Sequence, residues 1–299
     1  MNNNEKQLIN EVEDLHYQLM KLRNSKQFIL GNKLIKIKFI NKLFELKKKK
    51  DNKKYIIDLS NNSNIIKRNT YNNINNKKIV IYTCVTGNYD YINEPEFLNE
   101  KIDYVLYTNN KDIKSNKWKV IYIDDKNIDN ISLNRYYKMN PFEILKEYDY
   151  SIYIDGKVKI YSDLSSYIDR ISKKNGIAFY KHSYRNKISS ELKTCRNLKK
   201  GNTYELVKQV EKFRKDGLPD DYGLVDACII ATDLKSSVAK KILSDWWKEF
   251  NNSNSKRDQI AISYILYKNN IKINEIATLG NNVLSDPKIE IVEHKNLIK

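Results

Sequence analysis

Two hydrophobic patterns alternate between residues 79 and 269. Short unbroken runs of β-branched and aromatic residues occur at Ile79–Cys84, Tyr104–Tyr107, Trp118–Ile123, Tyr150–Ile154, Ile177–Tyr180 and residues 226–231. Such runs predict buried strands, and most are closed by turn residues, as in Thr86-Gly87-Asn88, Thr108-Asn109-Asn110 and Asp155-Gly156. Longer stretches with helical spacing cover residues 132–148, 203–215, 236–250 and 257–269. Pro141 marks a break or a fresh start in the first of them. Strands alternating with helices predict an α/β fold with a mostly parallel sheet flanked by helices. No internal repeat is visible.

The N-terminal pattern differs. Leu8, Val12, Leu15, Leu19 and Leu22 fall at alternating spacings of four and three. That seam suits either a short self-associating coiled coil or an ordinary amphipathic helix. Residues 33–47 carry two apolar stripes separated by lysines, and Lys47–Lys50 follow as a basic run. This extension, residues 1–50, favours peripheral contact with an anionic membrane by about 1 kcal/mol per cation near the surface; a solvated helix end fits as well. Residues 51–77 are Asn-rich without a sustained period and read as a linker. The main domain is expected over residues 78–285, with a tail at 286–299.

Composition narrows the function. Apolar residues make up 40% of the chain and 22 residues are Tyr, which excludes a wholly disordered protein. No apolar run is long enough to span a bilayer, and the opening MNNNEKQLINEVEDL lacks the layout of a secretory signal, so a cytoplasmic protein is expected. Cys84, Cys195 and Cys228 are scattered and odd in number, arguing for buried thiols rather than a disulfide framework or zinc site. Three histidines, His16, His182 and His294, rule out a His-rich metal centre. The net charge of +17 calls for an anionic partner: nucleic acid, a lipid surface or a phosphorylated substrate. Residues 1–54 hold 14 Lys/Arg against 6 Asp/Glu, so nearly half of the excess sits in the first sixth of the chain.

In a parallel α/β sheet, ligands bind beyond the carboxyl ends of the strands. Three segments deliver polar residues there. Thr86-Gly87-Asn88-Tyr89-Asp90 follows the first strand, and is neither a dinucleotide fingerprint nor a Walker loop. By itself it is a turn. Asp155-Gly156-Lys157 ends the fourth strand and reads equally as a turn or as a carboxylate and a cation presented to a diphosphate. Ser255-Lys256-Arg257-Asp258-Gln259 opens the last helix, where Asp258 is either a cap or a carboxylate that orients or deprotonates an acceptor hydroxyl.

Together these segments resemble the TOD/MUCI-type glycosyltransferase-like domains of plants and bacterial polysaccharide clusters. The resemblance rests on Thr83-Cys-Val-Thr-Gly87-Asn-Tyr-Asp90, Arg135 and Lys138 with Asn140-Pro141, and Ile154-Asp155-Gly156-Lys157. It continues in His182-x-x-Arg185 with Glu191, and in Trp246-Trp247 followed by Ser255-x-Arg257-Asp258-Gln259. It spans roughly residues 78–275. Residues 22–31 are similar to appendages on bacterial polysaccharide glycosyltransferases.

The resemblance implies a GT-A-like (Rossmann-like) fold. It also implies sugar transfer from a nucleotide-sugar donor to a polysaccharide, lipid-linked or protein acceptor. Asp258, Glu191 and Arg257 would be catalytic, with Asp226 behind them. Thr86, Gly87, Asn88, Tyr89, Asp90, Arg135, Lys138, Asp155, Gly156, Lys157, Arg185 and Gln259 would bind the donor. Asp155 with His182 would take Mn2+ or Mg2+, unless Lys157 replaces the metal. Without the resemblance, Arg135 and Lys138 read as a solvated helix face. A homo-oligomer is compatible with the N-terminal seam. The rival readings are a catalytically inactive nucleotide- or sugar-binding scaffold and, less favoured because no nucleic-acid motif appears, a basic coiled-coil nucleic-acid binder.

Overall fold

The computed structural model describes residues 76–87, 92–124 and 127–292. All of them lie in the second of two units into which the chain divides, Asn76–Lys299. The coiled-coil, membrane-surface and linker readings of residues 1–75, the Asn88-Tyr89-Asp90 site residues and His294 lie outside the described residues.

Strands β1 (Ile79–Cys84), β2 (Ile102–Thr108) and β3 (Lys119–Tyr122) are followed by helices α1 (Asn130–Met139) and α2 (Pro141–Ile144). Strands β4 (Tyr150–Ile154) and β5 (Val158–Ile160), helix α3 (Ser166–Asp169) and strand β6 (Ile177–Lys181) come next. Helices α4 (Ile188–Asn197) and α5 (Thr203–Lys215) lead to strand β7 (Val225–Asp233). Helices α6 (Ser237–Asn251), α7 (Gln259–Lys268) and α8 (Ile273–Ile276), a short 3-10 turn and strand β8 (Ile289–Ile291) complete the described chain. Among the described residues no helix is long and apolar enough to cross a membrane.

The main sheet has the order β3-β2-β1-β4-β7-β6. Strands β1, β2, β3 and β4 run parallel, whereas β7 is antiparallel to both β4 and β6. This reversal positions the site: the start of β7, Val225-Asp226, lies at the edge where β1, β4 and β6 end. Every residue of β1 is buried, as expected for a central strand covered on both faces. Val80, Tyr82 and Cys84 join a core with residues of α5, α6 and α7, among them Phe213, Trp246 and Leu266.

Local signals account for the helix boundaries. The side chains of Asp129, Asn202 and Ser236 accept from the backbone N–H groups of Ser132, Glu205 and Ala239, capping α1, α5 and α6. Pro141 divides the stretch expected as one helix into α1 and α2, because it occupies the first turn of a new helix. Of the Trp pair, Trp246 is fully buried, as the divergence of adjacent helical positions requires of at least one. The segment expected as a tail is ordered at its start. Ile289–Ile291 pairs with β5, and Asp286 accepts hydrogen bonds from the hydroxyls of Tyr167 and Tyr180. Cys84, Cys195 and Cys228 are buried free thiols, as expected.

Candidate active site

Of the residues singled out by sequence, Arg135, Lys138, Asp155, His182, Arg185, Glu191, Asp226 and Asp258 lie where β1, β4, β6 and β7 meet at one edge of the sheet. Helix α1 brings Arg135 and Lys138 onto one face, since residues three apart are neighbours on a helix. It is held against the end of β1 by Asn134, whose amide donates to the Cys84 carbonyl. Neither cation is solvated in the way a lysine-rich helix face suggests. The Lys138 side chain is 3% exposed. Its ammonium lies 3.1 Å from Asp258 Oδ2 and 3.6 Å from Asp155 Oδ1, between the rings of Tyr153 and Trp246. Arg135 Nε is 2.8 Å from the same Asp258 oxygen.

Asp258 stands at the N-cap position of α7, yet its side chain makes no capping bond. Burial would push its carboxyl up, but Arg135, Lys138 and Arg257 outweigh that and hold it well below the usual carboxylate range. A carboxylate so stabilised is a poor proton acceptor. Asp155 ends β4, and its backbone N–H donates to the Cys228 carbonyl of β7 at 2.8 Å. Its side chain accepts from Tyr153 OH at 3.0 Å and keeps about a quarter of its surface accessible. Asp155 and Asp258 thus share one buried ammonium, although 103 positions of sequence separate them.

A second cluster stands at the end of β6. His182 Nδ1 accepts from the backbone N–H groups of Tyr184 at 3.2 Å and Arg185 at 3.3 Å. Arg185 Nε lies 2.6 Å from Glu191 Oε2, and Cys195 Sγ donates to the other Glu191 oxygen at 3.4 Å. Burial and Arg185 lower the His182 pKa against the opposing pull of Asp226 and Glu191. Asp226, at the start of β7, is partly accessible and accepts from the Cys228 N–H at 3.0 Å.

The remaining expected residues have mixed fates. Thr86 donates to the Asn130 carbonyl at 2.7 Å, and the Gly87 N–H to Asn109 Oδ1 at 2.7 Å. Gly87 has φ +60°, and a side chain there would meet Asn130. This pair therefore stitches the loops after β1 and β2 to α1. The Gly156 carbonyl accepts from Asn93 at 2.6 Å. The Gln259 amide donates to the Val225 carbonyl, tying α7 to β7, so this side chain braces the site and is not turned toward a donor. Lys157 is half-buried beside Asp155, and its charge bears on both Cys228 and Lys200.

Lys200 and Gly201, which the sequence did not single out, lie beside Arg257. The loop from α4 to α5 lies against the turn before α7: the Asn202 N–H donates to the Ser255 carbonyl at 3.0 Å. Gly201 adopts φ +69°, and a Cβ there would sit 2.9 Å from Arg257 Cγ. One lysine among 54 basic residues carries no local mark, and only the fold brings this loop to Arg257.

The expected metal pair does not form a metal site with these neighbours. Among the described residues no group of three or more His, Cys, Asp or Glu side chains converges. Asp155 faces the Lys138 ammonium, and His182 Nε2 lies 3.3 Å from an Arg185 nitrogen. The described residues around Asp155 and His182 do not fit a divalent cation.

A family model described as TOD1/MUCI70, glycosyltransferase-like domain, matches residues 54–286. No curated protein matches the sequence. Similar solved structures include the WbbM bifunctional glycosyltransferase in its apo form, at 10% identity and TM-score 0.39, covering 70% of this chain and 39% of that one. The galactosyltransferase LgtC in complex with donor and acceptor sugar analogs is similar at 14% identity and TM-score 0.34, covering 63% of this chain and 69% of that one. Mouse xyloside xylosyltransferase 1, apo form, is similar at 9% identity and TM-score 0.38, covering 69% of this chain and 84% of that one. The chain therefore spans about two fifths of the first of these.

Proposed function

The chain belongs to the TOD1/MUCI70 glycosyltransferase-like domain family, and from that premise we propose that it transfers a sugar from a nucleoside-diphosphate donor to a hydroxyl of a glycan or lipid-linked acceptor. The observation that carries the reading is the cluster in which Asp155 and Asp258 share the buried Lys138 ammonium beside Arg135, at the sheet edge where such donors bind. A helix face of ordinary surface cations would not be buried against two carboxylates from distant elements.

In the proposed reaction an acceptor oxygen attacks the anomeric carbon, the bond to the diphosphate breaks, and its electron pair leaves on the phosphate oxygen. The acceptor proton goes to a carboxylate. Lys157 and Arg257 stabilise the charge that grows on the departing diphosphate. The buried Arg135–Asp258–Lys138 set holds the floor on which Asp155 stands. Asp258 and Glu191 are already held by cations, so neither suits the proton-accepting role expected of them. We assign that role to Asp226, which is partly accessible and accepts from the Cys228 N–H at 3.0 Å. Asp226→Asn is expected to lower kcat by about 100-fold while leaving donor KM within about twofold, the split of a general base. An unchanged kcat would remove Asp226 from this role.

In this reading ammonium and guanidinium groups neutralise the diphosphate in place of a divalent ion. Turnover is expected to survive EDTA, and added Mn2+ to change the rate less than about twofold. A thermal-shift panel of UDP-, GDP-, CMP- and dTDP-sugars, followed by product analysis, tests the reading as a whole. Donor binding without either hydrolysis or transfer would point to a scaffold, and binding of none of them would end the proposal.

A further inference from the structure

Asp155 stands just past the end of β4 on a main chain pinned from both sides. Its N–H donates to the Cys228 carbonyl at 2.8 Å, and its own carbonyl accepts from the Val158 N–H at 2.9 Å. The side chain is what can still turn, and two groups face one of its oxygens. Tyr153 OH donates to Oδ1 at 3.0 Å. The Lys138 ammonium stands 3.6 Å from the same atom and closer, at 3.1 Å, to Asp258. A separation of 3.6 Å is beyond hydrogen-bond length, so the phenol is the group that gives this carboxylate its direction. Residues two apart on an extended chain share a face, which is how β4 itself brings Tyr153 beneath Asp155.

Tyr153 is held still by its surroundings. It is 1% exposed. In the sheet register it faces Tyr82 of β1, and the two rings meet edge to face with centroids 5.3 Å apart. The Lys138 ammonium lies 5.5 Å from the centre of the Tyr153 ring. The Tyr82 hydroxyl is turned elsewhere and donates to the Lys138 carbonyl at 3.4 Å. Burial, joined by the charge of Asp155, raises the Tyr153 pKa well above the ordinary phenol value against the pull of Arg135. The phenol therefore stays protonated, and a donor, through the neutral range. A donor fixed on Oδ1 from the interior turns the other Asp155 oxygen away from the core. Misplacing a reacting group by 1 Å costs about 100-fold in rate, so the direction of this side chain matters to chemistry at the end of β4.

We infer that Tyr153 is a positioning residue of the transfer reaction, its phenol aiming the Asp155 carboxylate at the bound sugar nucleotide. This rests on the function proposed above. The test is a double-variant cycle on the full chain, read as release of free nucleotide from whichever member of the UDP-, GDP-, CMP- and dTDP-sugar panel is turned over. Tyr153→Phe keeps the buried ring and removes only the donor. It is expected to lower kcat roughly tenfold with donor KM within about twofold, and to melt close to wild type because the oxygen left behind is on an accessible carboxylate. In an Asp155→Ala background the same change should alter the residual rate by less than about twofold, since there is nothing left to aim. Tyr82→Phe, which deletes a buried phenol from the same ring pair, should turn over like the wild type. Wild-type turnover in Tyr153→Phe, with turnover lost in Asp155→Ala, would overturn this inference and leave the site reading standing. A tenfold loss that persists in the Asp155→Ala background, or an equal loss in Tyr82→Phe, would mark a packing effect and overturn it too. Wild-type turnover in Asp155→Ala would remove the site reading together with the inference.

Discussion

Asp258→Ala is expected to destabilise the domain by about 3–5 kcal/mol, the usual consequence of taking one partner from a buried charge pair. At roughly 2–4 °C per kcal/mol for a domain of this size, the melting temperature should fall by about 6–20 °C. The cause is the position of Lys138. Its ammonium is almost wholly enclosed, and with Asp258 gone its nearest remaining carboxylate is Asp155 at 3.6 Å, while Arg135 loses a contact of 2.8 Å. Replacing both members tests that account. Lys138→Met with Asp258→Leu removes the enclosed ammonium together with its partner but leaves Arg135 without its 2.8 Å contact, so part of the lost stability should return even though turnover does not. If the double variant is no more stable than Asp258→Ala, the loss comes from packing or from Arg135, and the Lys138–Asp258 pair is not what holds this edge together.

The same group sets an acid limit. Its folded-state pKa lies below the unfolded value, so its contribution to stability is complete above about pH 4, the ordinary Asp range, and is lost as pH falls from there toward the folded-state value. Wild-type unfolding measured between pH 5 and pH 2 should steepen in that window more than in the Lys138→Met/Asp258→Leu variant, where the pair is absent.

Much of this arrangement was legible before any coordinates. Unbroken apolar runs marked β1, β4 and β7, because a strand covered on both faces has no room for polar alternation. The family resemblance drawn from Arg135, Lys138, Asp155, His182 and the 255–259 segment is shown by the family match over residues 54–286. Other features left no trace. Strands β5 and β8 have three residues each, too few for any periodicity, and their pairing spans more than 120 positions. Helix α4 carries Ser189, Ser190, Lys193 and Thr194 between its few buried residues, which hides its apolar stripe. Charge was the least readable property. In a chain with 54 basic residues, the buried Lys138 and the exposed Lys200 look alike until the fold sets a carboxylate or another cation beside them.

Asp155→Ala should lower turnover by about 100- to 1,000-fold while leaving the protein folded, the reverse of the Asp258 result. The difference follows from accessibility. Asp155 is reachable from solvent, and its removal leaves Lys138 still paired with Asp258 at 3.1 Å, so no buried charge is stranded. What disappears is the carboxylate at the mouth of β4 and the acceptor for Tyr153 OH. Lys157→Ala removes the cation two positions later and should act on the other side of the reaction, raising donor KM and lowering kcat together because the departing diphosphate loses charge stabilisation. Circular dichroism and melting curves close to wild type are expected for both variants, which separates a chemical defect from unfolding. Wild-type turnover in Asp155→Ala would move the chemistry away from the end of β4. Wild-type turnover in both would leave the buried Arg135–Asp258–Lys138 set as a structural brace alone, and the active edge would have to be sought elsewhere on the sheet.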